Sequence, residues 1–318
     1  MPKSAPSWNE IQSAHEVVAK FAHRTPIWTC ETLNRMSGLK LYFKCENFQK
    51  TGAFKFRGAI NAVSGLSEAE KKCGVVTHSS GNHAAALTRA AALHQLKAHV
   101  VMPDNSSKTK IAAVEEYGGE VTLCKPTLAD RESTAESIRE KTGATLIPPF
   151  NHPDVIAGQG TCAKELLEDV EPLDAIVVPI GGGGLMSGSC LATKALSPST
   201  RIIGAEPEGA DDAWQSLKEG KMIPQTGPNT IADGLRTSMG TLTWPIIQEH
   251  VEQIALVSDA EIVSVMKTFF ERSKLLIEPS CCVAVGAALL GKIKDLPPGS
   301  RVGVIITGGN VDLANLPF

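Results

Sequence analysis

Four short segments carry residue types and spacings that could do chemistry. Gly181-Gly182-Gly183-Gly184 follows the apolar run Ala175–Pro179 and precedes a helical stretch, Leu185–Ala195. A glycine run lets the backbone approach a ligand closely, and a helix N-terminus adds positive potential, so this segment reads as a phosphate cradle. A tight turn alone needs one or two glycines. The run fits neither G-x-G-x-x-G nor G-x-x-x-x-G-K-[ST], which weakens dinucleotide and P-loop readings. Lys55 stands between Phe54 and Phe56, just inside an expected helix. A single lysine is ordinarily a solvated surface residue, but an aromatic, desolvated setting lowers a lysine pKa, as an imine-forming lysine requires. Ser79-Ser80-Gly81-Asn82-His83 opens another expected helix and offers more hydrogen-bonding groups than one helix cap needs, enough to hold a carboxylate. His83 alone reads as structural. Thr307-Gly308-Gly309-Asn310 is a further glycine turn with a hydroxyl at its mouth. Together these segments suggest a phosphorylated carbonyl cofactor held by a lysine.

The elements around them alternate. Strands are expected at Lys40–Lys44, Gly74–Thr77, Ala98–Met102, Glu120–Leu123, Thr145–Pro148, Ala175–Pro179, Arg201–Glu206, Gln253–Val257 and Arg301–Thr307, with amphipathic stretches such as Ser107–Tyr117, Thr127–Lys141 and Asp259–Lys274 between them. Several strands are apolar throughout, which suits parallel strands buried on both faces. The fold class is therefore α/β with open, twisted, mostly parallel sheets. Ligands in such folds bind beyond the carboxyl ends of strands, where all four segments lie. Two domains are expected, a small one at 75–150 embedded in a large one built from 1–74 and 151–318, with the cofactor between them.

Composition narrows the class. The 318 residues are 42% hydrophobic and 20% charged, the pattern of an ordinary globular protein. With 31 basic and 34 acidic residues and no basic run, a nucleic-acid partner is not expected. No apolar run approaches the ~18 residues of a membrane span, and the polar stretch Met1–Glu16 lacks a signal-peptide core. Eight cysteines without C-x-x-C spacing read as reduced thiols of a cytoplasmic protein.

Ala53-Phe54-Lys55, Ser79–His83, the tetraglycine run and Thr307-Gly308-Gly309-Asn310, in this order, resemble the fold-type II pyridoxal-phosphate enzymes of the serine/threonine dehydratase family over essentially the whole chain. Phe43-Lys44-Cys45-Glu46, Ile156-Ala157-Gly158-Gln159-Gly160-Thr161, Ala232-Asp233-Gly234 and Gly308-Gly309-Asn310-Val311-Asp312 are most similar to the serine racemases of that family, and less so to its threonine dehydratases. The resemblance implies that Lys55 binds pyridoxal 5′-phosphate covalently, that Gly181, Gly182, Gly183 and Gly184 bind its phosphate, and that Phe54, Asn82 and Thr307 hold the ring, Thr307 at its nitrogen. It implies that Ser79, Ser80, Gly81 and Asn82 receive the substrate carboxylate, with Lys55 and Ser80 as the catalytic pair. A hydroxyl partner leaves the ring nitrogen a weaker electron sink than an Asp would.

The resemblance also implies a divalent cation, Mg²⁺, Mn²⁺ or Ca²⁺, held by Glu206, Ala210 and Asp212. Oxygen ligands of this kind suit hard cations. It implies ATP as an activator at Lys50, Thr51 and Tyr117, and a homodimer. The activity implied is serine racemisation with serine dehydration to pyruvate and ammonia. The alternatives are a dedicated serine, threonine or 3-hydroxyaspartate dehydratase, or an aspartate racemase. Phe150 departs from the mammalian racemase pattern and matches the aromatic of threonine dehydratases. The chain runs only to Phe318, which is read as lacking the regulatory domain of the biosynthetic threonine enzymes.

Overall fold

The structure is a computed structural model and describes residues 4–170 and 172–318; the first three residues of the stretch Met1–Glu16 lie outside it. Ten strands form two sheets among the described residues: β1 (Ile27–Trp28), β2 (Lys40–Cys45), β3 (Val75–His78), β4 (Ala98–Pro103), β5 (Glu120–Cys124), β6 (Thr145–Leu146), β7 (Ala175–Pro179), β8 (Arg201–Pro207), β9 (Gln253–Val257) and β10 (Arg301–Ile306). The larger sheet has the order β1-β2-β10-β7-β8-β9 and the smaller β5-β4-β3-β6. All pairings are parallel except β1 with β2.

Every expected strand forms, with ends moved by at most two residues. Thr145–Pro148 shortens to Thr145–Leu146: the Ile147 amide still donates to the Val76 carbonyl at 3.0 Å, but Pro148 and Pro149 have no amide with which to continue. The two-residue β1 escaped the reading because so short a segment shows no periodicity.

β7 and β10 explain why apolar runs fit this fold. Val177, Val304 and Ile306 pack on one face of the larger sheet with Phe43, Phe269 and Val283. Ile176, Val178 and Ile305 pack on the other with Leu166, Met186 and Ile202. Alternate residues point to opposite faces, so a strand covered on both sides must be apolar at every position.

Six helices matter for the site: α1 (Lys55–Ser64), α2 (Asn82–Leu93), α3 (Pro153–Asp169), α4 (Gly184–Leu196), α5 (Asp212–Glu219) and α6 (Pro279–Leu289). α1 lies against α2 through Phe56, Ala59, Ile60 and Val63 meeting Ala86, Leu87 and Ala90. It also crosses α3 where Gly58 and Gly158 meet. A Cβ on Gly158 would stand 2.6 Å from the Arg57 carbonyl oxygen, and one on Gly188 of α4 would stand 2.5 Å from the Gly160 amide of α3. α1 and α4 thus rest backbone to backbone on opposite sides of α3.

A buried ionic group reinforces the first crossing. Arg57, Lys44, Glu46 and Glu165 are all within 2% of full burial. Arg57 bonds Glu46 through Nε at 2.7 Å and Nη2 at 2.8 Å, and Glu165 through Nη1 and Nη2, both at 2.8 Å. Lys44 Nζ completes the set on Glu165 at 2.7 Å and on the Thr25 carbonyl at 2.8 Å. Two cations face two anions, so the group is balanced and its hydrogen bonds are nearly all made. No described helix is long and apolar enough to cross a membrane.

Candidate active site

Lys55 is the first residue of α1, placed by two backbone links. The Phe54 amide donates to the Thr307 carbonyl at 2.9 Å, and Ala53 pairs with Gly308 in an isolated antiparallel bridge. The turn that starts α1 is therefore stitched to the loop leaving β10. Lys55 Nζ donates to the Pro149 carbonyl at 2.8 Å and lies 5.0 Å from the centre of the Phe54 ring. Burial lowers its pKa to about 8, against an opposing pull from Glu278. An amine so placed is substantially neutral close to pH 8 and is a competent nucleophile toward a carbonyl.

The glycine loop leaves β7 and enters α4 fully buried. No described residue accepts a hydrogen bond from the amides of Gly181, Gly182, Gly183 or Gly184. Consecutive buried amides without partners, at a helix N-terminus, suit an anionic phosphate. The fold itself also demands these glycines. Gly183 has φ +85, and a Cβ on Gly182 would fall 2.2 Å from the Phe150 ring. Thr243 Oγ1 ties the loop by donating to the Gly182 carbonyl at 2.9 Å. Phe150, the departure from the racemase pattern, is thus packed on the glycine loop.

Ser79, Ser80 and Gly81 lie between β3 and α2, and Asn82 opens α2. Gly81 is the N-cap of α2, and no side chain caps that helix. Helix capping therefore does not account for the serines here. The Ser79 hydroxyl accepts from the Gly81 amide at a long 3.4 Å, and the partly buried Ser80 hydroxyl has no partner among the described residues. Asn82 Nδ2 donates to both oxygens of Glu278, at 3.0 and 3.1 Å, while its Oδ1 accepts from Asn310 Nδ2 at 2.9 Å. His83 is buried, its Nε2 lies 2.9 Å from the Ile147 carbonyl, and burial followed by the Lys55 charge depresses its pKa to about 3. It is a neutral structural histidine that donates to Ile147.

Thr307 is 4% exposed, at the carboxyl end of β10. Its Oγ1 lies 3.1 Å from the Cys281 Sγ of α6. Glu278, the N-cap of α6, is 5% exposed, and burial raises its pKa to about 7.

A separate cluster lies where β8 meets α5. Glu206 is fully buried and accepts from the amides of Ala213 at 3.1 Å and Trp214 at 2.7 Å. Asp212 Oδ2 accepts from the Met239 amide at 3.1 Å, while Asp212 Oδ1 is buried without a partner. Burial drives the Glu206 pKa well up and that of Asp212 to about 6. Ala210 is also fully buried. Among the described residues there is no cluster of three or more His, Cys, Asp or Glu side chains able to hold a metal, so any cation here needs carbonyl help. Lys50 and Thr51 share a short 3-10 turn in which Thr51 has φ 62 and a buried, unpartnered Oγ1. Tyr117 closes the helix Lys108–Glu116.

The sequence reading did not single out Glu278, Cys281 or the Arg57 group. Glu278 had a signal, as the one charge in the apolar run from Leu275 to Val285. Cys281 had none, because only the fold brings it to Thr307. Lys44, Glu46 and Thr161 were singled out as motif residues without a role, and Arg57 connects them: its Nη1 also donates to Thr161 Oγ1 at 3.2 Å.

Comparison with known proteins agrees with this geometry. The family described as pyridoxal-phosphate dependent enzyme matches residues 18–308. The chain is 49% identical to the beta-hydroxyaspartate dehydratase of Paracoccus denitrificans, covering 98% of this chain and 99% of that one. It is 47% identical to the serine racemase of Dictyostelium discoideum, covering 99% and 98%. The crystal structure of the Dictyostelium racemase superposes with a TM-score of 0.93 at 48% identity, over 97% of this chain and 99% of that one.

Proposed function

The chain belongs to the pyridoxal-phosphate dependent enzyme family, and within it we propose that it is a serine racemase that also dehydrates serine to pyruvate and ammonia. The observation that carries this reading is a desolvated Lys55 together with a partly buried Ser80 hydroxyl that has no partner among the described residues. Inverting a stereocentre needs an acid–base group on each side of the α-carbon, and these two residues come from different elements, the start of α1 and the loop before α2.

The residues present fit the cofactor. The free amides of Gly181 to Gly184 would take its phosphate, Lys55 its aldehyde carbon, Asn82 its ring hydroxyl and Thr307 its ring nitrogen, with Phe54 beside the ring. When bound, pyridoxal phosphate draws electrons from the substrate α-carbon and makes its proton removable. Lys55 takes that proton from one side, and Ser80 returns one to the other for racemisation. For dehydration Lys55 suffices: having taken the α-proton it can give it to the hydroxyl on the neighbouring β-carbon, which leaves as water while a double bond forms between the two carbons. Ser79, Ser80, Gly81 and Asn82 hold the substrate carboxylate.

Three further assignments accompany this reading. Glu206, Asp212 and the Ala210 carbonyl hold a divalent cation, supported by two buried carboxylates without a basic partner and an unpartnered Asp212 oxygen. ATP binds at Lys50, Thr51 and Tyr117 and activates a homodimer, supported by the resemblance and the unpartnered Thr51 hydroxyl. The protein works in the cytoplasm, its residues 1–74 and 151–318 forming the large domain and 75–150 the small one.

A second reading is a dedicated dehydratase, which Phe150 against the glycine loop favours in general and the Paracoccus relative favours for 3-hydroxyaspartate in particular. Chiral chromatography of products from L-serine, L-threonine, L-aspartate and 3-hydroxyaspartate, with the purified holoenzyme, separates the two. D-serine together with pyruvate from L-serine supports the racemase. Rapid loss of 3-hydroxyaspartate without any D-serine supports the dehydratase.

A further inference from the structure

We propose that Cys281 sets the direction of the Thr307 hydroxyl proton and thereby tunes how strongly the cofactor ring withdraws electrons. The inference rests on the reading above, in which Thr307 faces the ring nitrogen.

The argument begins at the sulfur. Cys281 Sγ lies 2.9 Å from the Gly308 carbonyl oxygen. A carbonyl only accepts, so at that separation the thiol proton must point to it. The sulfur's lone pairs then receive the Gly308 amide, at 3.1 Å, and face Thr307 Oγ1, also at 3.1 Å. Cys281 Sγ is the one hydrogen-bonding neighbour of that hydroxyl among the described residues. Sulfur is a weak acceptor, so it holds the threonine proton loosely. The proton is free to turn onto an unprotonated ring nitrogen and to keep it unprotonated. Burial keeps the thiol from ionising, with a pKa pushed up to about 12, so it never becomes the strong acceptor that would capture this proton.

A better acceptor at position 281 reverses the arrangement. Thr307 would give its proton to that acceptor and turn a lone pair to the ring, which favours a protonated nitrogen and a stronger electron sink. The side reaction that grows is transamination. The amino group of serine passes to the cofactor's aldehyde carbon, serine is oxidised to its keto acid, and the cofactor is reduced to its amine form.

The test uses holoenzyme carrying Cys281→Ser, Cys281→Ala or Thr307→Val. The readouts are the absorption spectrum of the bound cofactor and its rate of conversion to the amine form with serine. Cys281→Ser should raise that rate about fivefold, the change expected from one better hydrogen bond. Cys281→Ala, which removes the acceptor, should not raise it. A general packing disturbance would move both variants in the same direction, and that result overturns the proposal. It also falls if Cys281→Ser behaves as wild type while Thr307→Val shifts the spectrum, which leaves the Thr307 reading intact. If Thr307→Val shifts nothing either, the Thr307 reading fails along with it. Should Cys281→Ala not fold, the comparison of Cys281→Ser with Thr307→Val still decides.

Discussion

Asn82 grips both carboxyl oxygens of Glu278, at 3.0 and 3.1 Å, across 196 residues of sequence. One residue opens the helix that follows β3 of the smaller sheet; the other caps the helix packed on the larger. The contact therefore joins the two sheets at the candidate site, and it carries a pH dependence.

Burial raises the Glu278 pKa from 4.5 to about 7. Between those values the folded protein holds a proton that the unfolded chain releases, so stability falls as pH rises through this window. Below it both states are protonated and nothing is lost. Glu278→Gln should flatten that decline, by at most about 3 kcal/mol. Urea unfolding of wild type and variant at several pH values from 5 to 8 measures the difference in slope. Parallel curves would contradict the assignment.

Lys55→Ala should abolish racemisation and dehydration together and remove the yellow colour of a bound imine. It deletes the nucleophile at the start of α1 and the base on that side of the substrate. Turnover assays and the visible spectrum check this, and more than a trace of remaining activity would count decisively against the mechanism.

Ser80→Ala separates the two reactions. D-serine formation and D-serine elimination should fall by orders of magnitude, while L-serine dehydration through Lys55 persists. Because no side chain caps α2, thermal stability should move by no more than about 0.5 kcal/mol. Equal loss of all activities would reject Ser80 as the second acid–base group.

Asp212→Ala should erase the rise in melting temperature that added Mg²⁺ gives wild type, since a cation bound only by the folded state stabilises by mass action. The cofactor absorbance should remain. An unchanged Mg²⁺ response in the variant would remove the cluster at β8 and α5 from the account.

Arg57→Met strands Glu46 and Glu165 without their shared partner in a dry setting. Such a loss costs about 3–5 kcal/mol. The exposed pair between Arg24 and Asp169 should matter far less, so Arg24→Met serves as the control in denaturant unfolding.

The strands and the four glycine- or hydroxyl-bearing segments were legible because each is a local pattern: an apolar run, then a turn, then a helix. Lys55, Gly181 to Gly184 and Thr307 were found in that way. Their surroundings were not legible. The stitch between Phe54 and Thr307, the Cys281 contact and the grip of Asn82 on Glu278 join residues far apart in sequence. That Gly81 and not a serine takes the N-cap of α2 was likewise not legible, because composition alone favours serine there. The glycine loop was read for its ligand alone, although Phe150 and Thr243 also crowd it.

The helix crossings bear on how this sequence can drift. A side chain at Gly158 or Gly188 would strike backbone, the Arg57 carbonyl and the Gly160 amide, and no rotamer change in a neighbour makes room. At Gly182 the obstacle is the Phe150 ring, which a second substitution can remove. The steric bar at 182 is therefore coupled to the residue at 150 and lifts only if that residue changes first. Positions 158 and 188 stay fixed for as long as the helices carrying Lys55 and the glycine loop keep their seats on α3.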